Sequence, residues 1–131
     1  MDKKTKVIVT LILLSAIALC TVIANPLRRS EAHITNKLLK AAPLGTSMNE
    51  VSYYIKKHKN WKTIITSYEH GFHDQRDYEG KTVGSKHIRV SMGDYIPLSP
   101  LPFTTNVTAF WGFDDDYKLI DIWVWKTVDA P

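Results

Sequence analysis

Cysteine is nearly absent from this sequence: its one cysteine, Cys20, lies within an apolar run near the N-terminus. The chain after Ala24 therefore contains none, which excludes a disulfide-stapled scaffold and a catalytic thiol. We expect no lipidation of Cys20, because a lipoprotein signal needs a small residue just before the modified cysteine and Leu19 is not small. The remaining domain must depend on its hydrophobic core, which a chain of roughly 100 residues can form.

A strong charge of one sign is also missing. The 17 Lys and Arg residues are nearly balanced by 13 Asp and Glu residues, and no basic stripe is interleaved with aromatic residues as nucleic-acid binding requires. The sequence has no phosphate-binding glycine loop, dinucleotide fingerprint or nucleophile elbow. We therefore expect no nucleic-acid partner, no small-molecule cofactor and no enzymatic activity.

The N-terminal segment differs in composition from the rest of the chain. Three lysines within the first six residues precede a stretch from Val7 to Ala24 that contains no charged residue. This pattern is typical of an export signal or a membrane anchor, and a run of about 18 apolar residues is just long enough to cross a bilayer. We predict that residues 1–26 are a signal peptide or a membrane anchor. Either outcome places a domain at residues 27–131 outside the cytoplasm, attached to the cell membrane or released as a secreted or periplasmic protein.

Two amphipathic helices are predicted after this segment. Residues 28–42 have an apolar stripe at helical spacing, and Ser30 is suited to cap the helix. A second helix is predicted to begin at Ser47, which stands three residues before Glu50 at the spacing of a capping box. Pro43 and the glycine that follows separate the two helices.

The rest of the chain has the pattern of β-strands. Runs rich in β-branched and aromatic residues, or alternating between polar and apolar, predict strands at 61–68, 85–92, 106–113 and 119–127. The last two are separated by a short polar turn and should form an antiparallel hairpin. We therefore predict an α+β fold: an N-terminal hydrophobic helix, then two helices packed on one face of a four-stranded antiparallel sheet.

One polar loop contains residues of the types that bind metal ions. His70 and His73, together with Asp74 or Asp77, could ligate zinc. Gly71 argues against a helix that would bring the two imidazoles together, so a solvated polar loop is the favoured interpretation. A metal-binding protein or metal-dependent hydrolase centred on His70 and His73 is the alternative function.

The final strand predicts a second candidate surface. Because side chains alternate across a strand, Ile120, Ile122 and Val124 should face the helices, and Trp123 and Trp125 should lie on the opposite face. Large aromatic side chains on an open sheet face are typical of hot spots for protein binding.

Other parts of the chain bear on this aromatic surface. Phe110 or Trp111 of the preceding strand should join the two tryptophans. The long loops at 69–84 and 93–104 could instead fold over that face and bury the aromatic side chains. Both interpretations remain open from the sequence.

Two short segments resemble a known family. Residues 44–51 resemble the start of the second helix of SmpA/OmlA (BamE-like) domains, and residues 113–121 resemble their closing hairpin. This superfamily, which includes the β-lactamase-inhibitor-protein fold, packs two helices on an antiparallel sheet. The resemblance implies non-enzymatic binding of a protein in the bacterial envelope or outside the cell. We predict such a module, held at the membrane through residues 7–24, with an unidentified protein partner; a structural domain without separable activity is a further alternative.

Overall fold

The apolar run near the N-terminus forms one long helix. The computed structural model describes residues 1–101 and 103–129, so the last two residues of the predicted domain lie outside these ranges. Helix α1 extends over Lys3–Ile23, and at 1.5 Å per residue it is about 32 Å long. Within the described residues, α1 is the one helix long and apolar enough to cross a membrane. A signal peptide and a membrane anchor would both have this form.

Two helices follow α1, each with a serine at its start. They are α2 (Glu31–Ala41) and α3 (Met48–Lys57). Both predicted caps are present: the Ser30 Oγ accepts a hydrogen bond from the His33 N–H at 3.1 Å, and the Ser47 Oγ accepts one from the Glu50 N–H at 3.3 Å. These bonds satisfy backbone donors that the first helical turn leaves free, which fixes where each helix begins.

The strands form one sheet of four and one small sheet of two. They are β1 (Lys62–Ser67), β2 (Phe72–His73), β3 (Thr82–Val83), β4 (Lys86–Tyr95), β5 (Thr105–Phe113) and β6 (Leu119–Val128). The large sheet is antiparallel with the order β1-β4-β5-β6, and β2 pairs with β3. The predicted α+β fold is confirmed.

The main core lies between the large sheet and helices α2 and α3. Val51 of α3 and Ile34 of α2 are buried there against Ile88, Trp111 and Ile122 from three strands. Burying each such aliphatic side chain contributes about 1.5–3 kcal/mol. This layer holds the sheet rigid, so that its opposite face can support further structure.

The start of β6 differs from the prediction. Pairing with β5 skips from Asp121 to Leu119, which leaves Ile120 as the extra residue of a β-bulge. Leu119 is buried, and Ile120 is 41% exposed. The expectation that Ile120 faces the core was wrong, because a bulge reverses the alternation of side chains that precede it. Ile122 and Val124 face the core as predicted.

The two segments that carry the family resemblance meet in space. The Gly45 N–H donates a hydrogen bond to the Leu119 carbonyl at 2.8 Å, and the Leu119 N–H donates to the Thr46 carbonyl at 2.8 Å. The Met48 N–H donates to the carbonyl of Tyr117, which adopts a left-handed conformation with φ of 61°. The start of α3 is therefore fixed to the β5–β6 turn at one end of the sheet.

The chain leaving α1 is fixed to the other end of the sheet. A short 3₁₀ turn at Pro26–Arg28 packs on β4, where the Leu27 Cδ1 would lie 3.3 Å from a Cβ added at Gly93. The Lys126 Nζ donates hydrogen bonds to the Arg29 carbonyl at 2.6 Å and to the Tyr95 hydroxyl at 2.9 Å. We call this end of the sheet, where β4 ends and β5 begins, the α1-proximal end.

Candidate functional site

Strands β2 and β3 fold over the sheet face that the helices leave uncovered. We call residues 70–84 the flap. Its Phe72 is buried and lies on Gly112 of β5, where an added Cβ would be 2.8 Å from the Phe72 ring. The Phe72 ring centroid lies 5.6 Å from that of Phe110 and 6.1 Å from that of Trp123. The missing side chain at Gly112 thus makes room for the aromatic ring that anchors the flap.

The flap changes the aromatic surface expected from the sequence. Phe110 and Trp123 lie on the predicted face and stack at 4.7 Å, but they are only 6% and 4% exposed because Phe72 covers them. Trp125 stacks on Trp123 at 5.3 Å and is half-buried at the rim. Trp111 faces the helices and is fully buried in the main core. The interpretation in which the 69–84 loop covers the face is therefore the one that the structure shows.

The polar residues considered for metal binding build the flap itself. The His70 carbonyl accepts a hydrogen bond from the His87 ring at 2.8 Å, and the His73 ring lies against Gly80. The Asp77 carboxylate accepts a hydrogen bond from a backbone N–H two residues later. Within residues 1–101 and 103–129, no group of three or more His, Cys, Asp or Glu side chains could hold a metal ion.

Arg76 connects the flap to the sheet. Its guanidinium donates to the Asp74 carboxylate at 2.8 Å and to the Asp121 carboxylate of β6 at 2.6 Å, and lies 5.8 Å from the Trp123 ring centroid. The hydrogen bond from Arg76 holds the pKa of Asp74 below its usual value, and the same bond raises the pKa of Arg76. Because Arg76 and Asp121 are both partly exposed, this pair stabilises the closed flap by at most about 1 kcal/mol.

A cavity of about 300 Å³ remains between the flap and the exposed edge of the sheet. We call it the flap cleft. Its wall combines aromatic side chains with imidazole, amide and guanidinium groups. The lining residues are Ile65, Gly71, Phe72, His73, Gln75, His87, Arg89, Phe110, Trp123 and Trp125. The cleft therefore brings three predicted aromatic residues together with His73, which the sequence analysis had treated as part of a separate site.

Arg89 supplies the cationic group of the flap cleft. Its guanidinium carbon lies 5.3 Å from the Phe110 ring centroid, and among the described residues its buried Nε has no hydrogen-bond partner. His87 donates its Nδ1 hydrogen to a backbone carbonyl, so the Nε2 of the neutral ring is an acceptor. A guanidinium beside an aromatic wall is suited to bind a carboxylate.

The strand beside the flap cleft has an unpaired edge. Within the described residues, β1 pairs with β4 on one side and with no strand on the other. Ile64 and Ile65 are exposed there, and a bulge between Thr63 and Ile65 interrupts the first half of the strand. The stretch from Ile65 to Ser67 keeps regular pairing with β4. An unpaired edge with exposed β-branched side chains can accept a further strand.

Six of the residues that line the flap cleft were not predicted as site residues: Ile65, Gly71, Phe72, Gln75, His87 and Arg89. For two of them a usable pattern was present in the sequence. His87 and Arg89 alternate with the core residues Ile88 and Val90, which places both on the face away from the helices. Ile65 gave no such indication, because β1 lacks a clean alternation.

Comparison with known proteins identifies no relative: no family model matches the chain, and no curated protein or solved structure is detectably similar to it. Two helices packed on an antiparallel sheet are a common solution to burying one sheet face. The resemblance to SmpA/OmlA domains therefore stays a prediction.

Proposed function

We propose that this protein is a membrane-tethered, non-enzymatic module of the bacterial envelope that binds a polypeptide partner at the flap cleft. The partner adds a strand to the free edge of β1 and directs a carboxylate to Arg89. The observation that carries the proposal is the edge of β1, which no strand of the described ranges pairs, directly beside a cleft that contains a cation and aromatic side chains.

The edge of β1 supports binding of an extended chain rather than a folded surface. Main-chain hydrogen bonds to a free strand edge provide affinity for any extended segment, and pockets for alternate side chains provide specificity. Ile65 lies on β1 opposite Arg89 of β4, and Phe110 of β5 lies opposite Arg89 in turn. A strand added beside Ile65 would therefore place side chains next to the row formed by Ile65, Arg89 and Phe110.

Arg89 supports an acidic group in the bound segment. A carboxylate beside the Arg89 guanidinium would accept a charge-assisted hydrogen bond, and a hydrogen bond to a charged group contributes about 1.5–3 kcal/mol. Trp125 at the rim of the cleft adds a half-exposed aromatic surface for an adjacent apolar side chain.

The N-terminal helix supports the membrane-tethered location. The described side chains of α1 are exposed, and none of them belongs to the main core. An exposed apolar helix of this length is stable in a bilayer, where its backbone hydrogen bonds are all internal.

Site-specific photo-crosslinking in the envelope of a bacterial host tests this function. A photoreactive phenylalanine analogue replaces Ile65 or Trp125 in the full chain, and a matched control replaces Tyr53, which is exposed on α3. We expect positions 65 and 125 to crosslink to the same partner polypeptide and position 53 to give no such product. Mass spectrometry of the crosslink should identify an extended segment that contains an acidic residue.

The charge of Arg89 gives the second half of the test. Arg89→Gln keeps a long polar side chain but removes the cation, and it should weaken the crosslink at position 65 several-fold, whereas Arg89→Lys should retain part of it. Equal crosslinking at positions 53 and 65, or no effect of Arg89→Gln, would contradict the proposed mode of binding.

A further inference from the structure

The loop between β4 and β5 exposes an unusual amount of apolar surface. Ile96, Leu98 and Leu101 are 55%, 72% and 63% exposed within six residues of chain. No charged residue occurs between Tyr95 and Asp114. Three large exposed apolar side chains so close together in the chain suit a surface that contacts another apolar phase or a partner.

This loop lies at the α1-proximal end of the sheet. Tyr95 and Thr105, which precede and follow the loop, pair with each other at the end of β4. The 3₁₀ turn that follows α1 packs at the same place, against Gly93 and Tyr95. Only Ala24 and Asn25 separate α1 from that turn, and so short a connection spans at most about 11 Å.

We infer that the β4–β5 loop is a second membrane contact, in which Ile96, Leu98 and Leu101 enter the headgroup region of the bilayer that α1 crosses. The inference rests on the proposed retention of α1 in the membrane. The common position of the loop and of the exit from α1 selects lipid as the occupant.

The charges around the loop agree with a lipid surface. Helix α3 runs toward this end, and the first pair of β1, Lys62 with Ser91, lies there as well. The basic residues at this end are Arg28, Arg29, Lys56, Lys57, Lys59, Lys62 and Lys126, and the acidic ones are Glu31, Asp94 and Asp129. The opposite end carries the acidic turn 114–116. Basic residues beside an apolar insertion favour contact with anionic lipid.

Single-cysteine labelling of the full chain tests the inference, because Cys20 is the one native cysteine. An environment-sensitive fluorophore is attached at position 98 or 101, through Leu98→Cys or Leu101→Cys in a Cys20→Ser background. The control label is attached through Asp115→Cys, at the opposite end of the sheet. The proteins are reconstituted into phosphatidylglycerol–phosphatidylethanolamine vesicles that contain a lipid with a quencher near its headgroup. We expect blue-shifted, quenched emission at positions 98 and 101 and unchanged emission at position 115.

A label on native Cys20 separates the two proposals. If the Cys20 label is quenched and the labels at positions 98 and 101 match that at position 115, the anchor holds and the second contact is overturned. If the Cys20 label is not quenched, the membrane-tethered part of the proposed function fails. Quenching at positions 98 and 101 would then still support a lipid-binding loop.

Discussion

Replacing Phe72 with alanine should release the flap from the sheet while leaving the rest of the domain folded. Phe72 is 1% exposed and contacts Phe110, Trp123 and the backbone of Gly112. Phe→Ala at buried sites costs about 3–5 kcal/mol, whereas the exposed ion pair of Arg76 contributes at most about 1 kcal/mol. The equilibrium for flap opening should therefore rise on the order of 10²–10³-fold.

Native-state proteolysis of the full chain in detergent micelles measures this opening. Trypsin cleaves after Arg76 and Lys81, which both lie in the flap, and mass spectrometry identifies the products. When opening is fast relative to cleavage, the cleavage rate follows the population of the open form. Phe72→Ala should accelerate cleavage after these two residues by about the same factor as the rise in the opening equilibrium. The cleavage rate of a fully unfolded chain sets the upper limit.

Two comparisons make the result decisive. Asp121→Asn removes the sheet-side partner of Arg76 but keeps both cleavage sites, and it should accelerate cleavage by less than about 5-fold. Arg89 lies in β4, which is paired on both sides, so cleavage after it reports on unfolding of the whole domain and should stay slow in Phe72→Ala. Equal effects of the two substitutions, or equally fast cleavage after Arg89, would show that Phe72 is not the local anchor of the flap.

Three further outcomes follow from the same contacts. Trp123→Ala should lower the free energy of unfolding in urea by about 3–5 kcal/mol and Trp125→Ala by markedly less, because the first side chain is buried and the second lies at the rim; the reverse order would contradict this assignment. Ser47→Ala should cost about 1 kcal/mol in the same assay, and no measurable change would mean that its cap is dispensable. The hydrogen bond from Arg76 lowers the pKa of Asp74 from 3.8. The Asp74 carboxylate therefore stabilises the fold above pH 3.8, and this contribution is lost as the pH falls through the lowered pKa. Tryptophan fluorescence should therefore report an acid transition of the flap below 3.8 that is weakened in Asp74→Asn; identical titrations would refute the role of this carboxylate.

The elements predicted well from the sequence are those with local causes. Ser30 and Ser47 cap their helices through bonds to residues three positions away, so a short stretch of sequence contains all the information needed. The four strands of the large sheet were likewise indicated by residue type and alternation. Their approximate limits needed no knowledge of tertiary contacts.

The elements predicted poorly depend on distant contacts. The bulge at Ile120 changes which side chains face the core, and alternation alone does not reveal an extra residue. Strands β2 and β3 have two residues each, too few to show a period, and they are held by Phe72 lying on Gly112. The flap cleft therefore became visible only once residues far apart in sequence had been placed together.

The short connection after α1 sets a height as well as a position. The 3₁₀ turn lies beside Tyr95, and Arg89 of the flap cleft lies six residues earlier on β4. At 3.3 Å per residue these two positions are about 20 Å apart. With α1 embedded, the connection of at most about 11 Å adds to that distance, so the flap cleft would stand no farther than roughly 30 Å from the end of α1. Its partners would then be limited to chains that pass close to the membrane surface, such as the juxtamembrane segment of another membrane protein. In that case the short connection would restrict partners by their distance from the membrane, before any side chain is recognised.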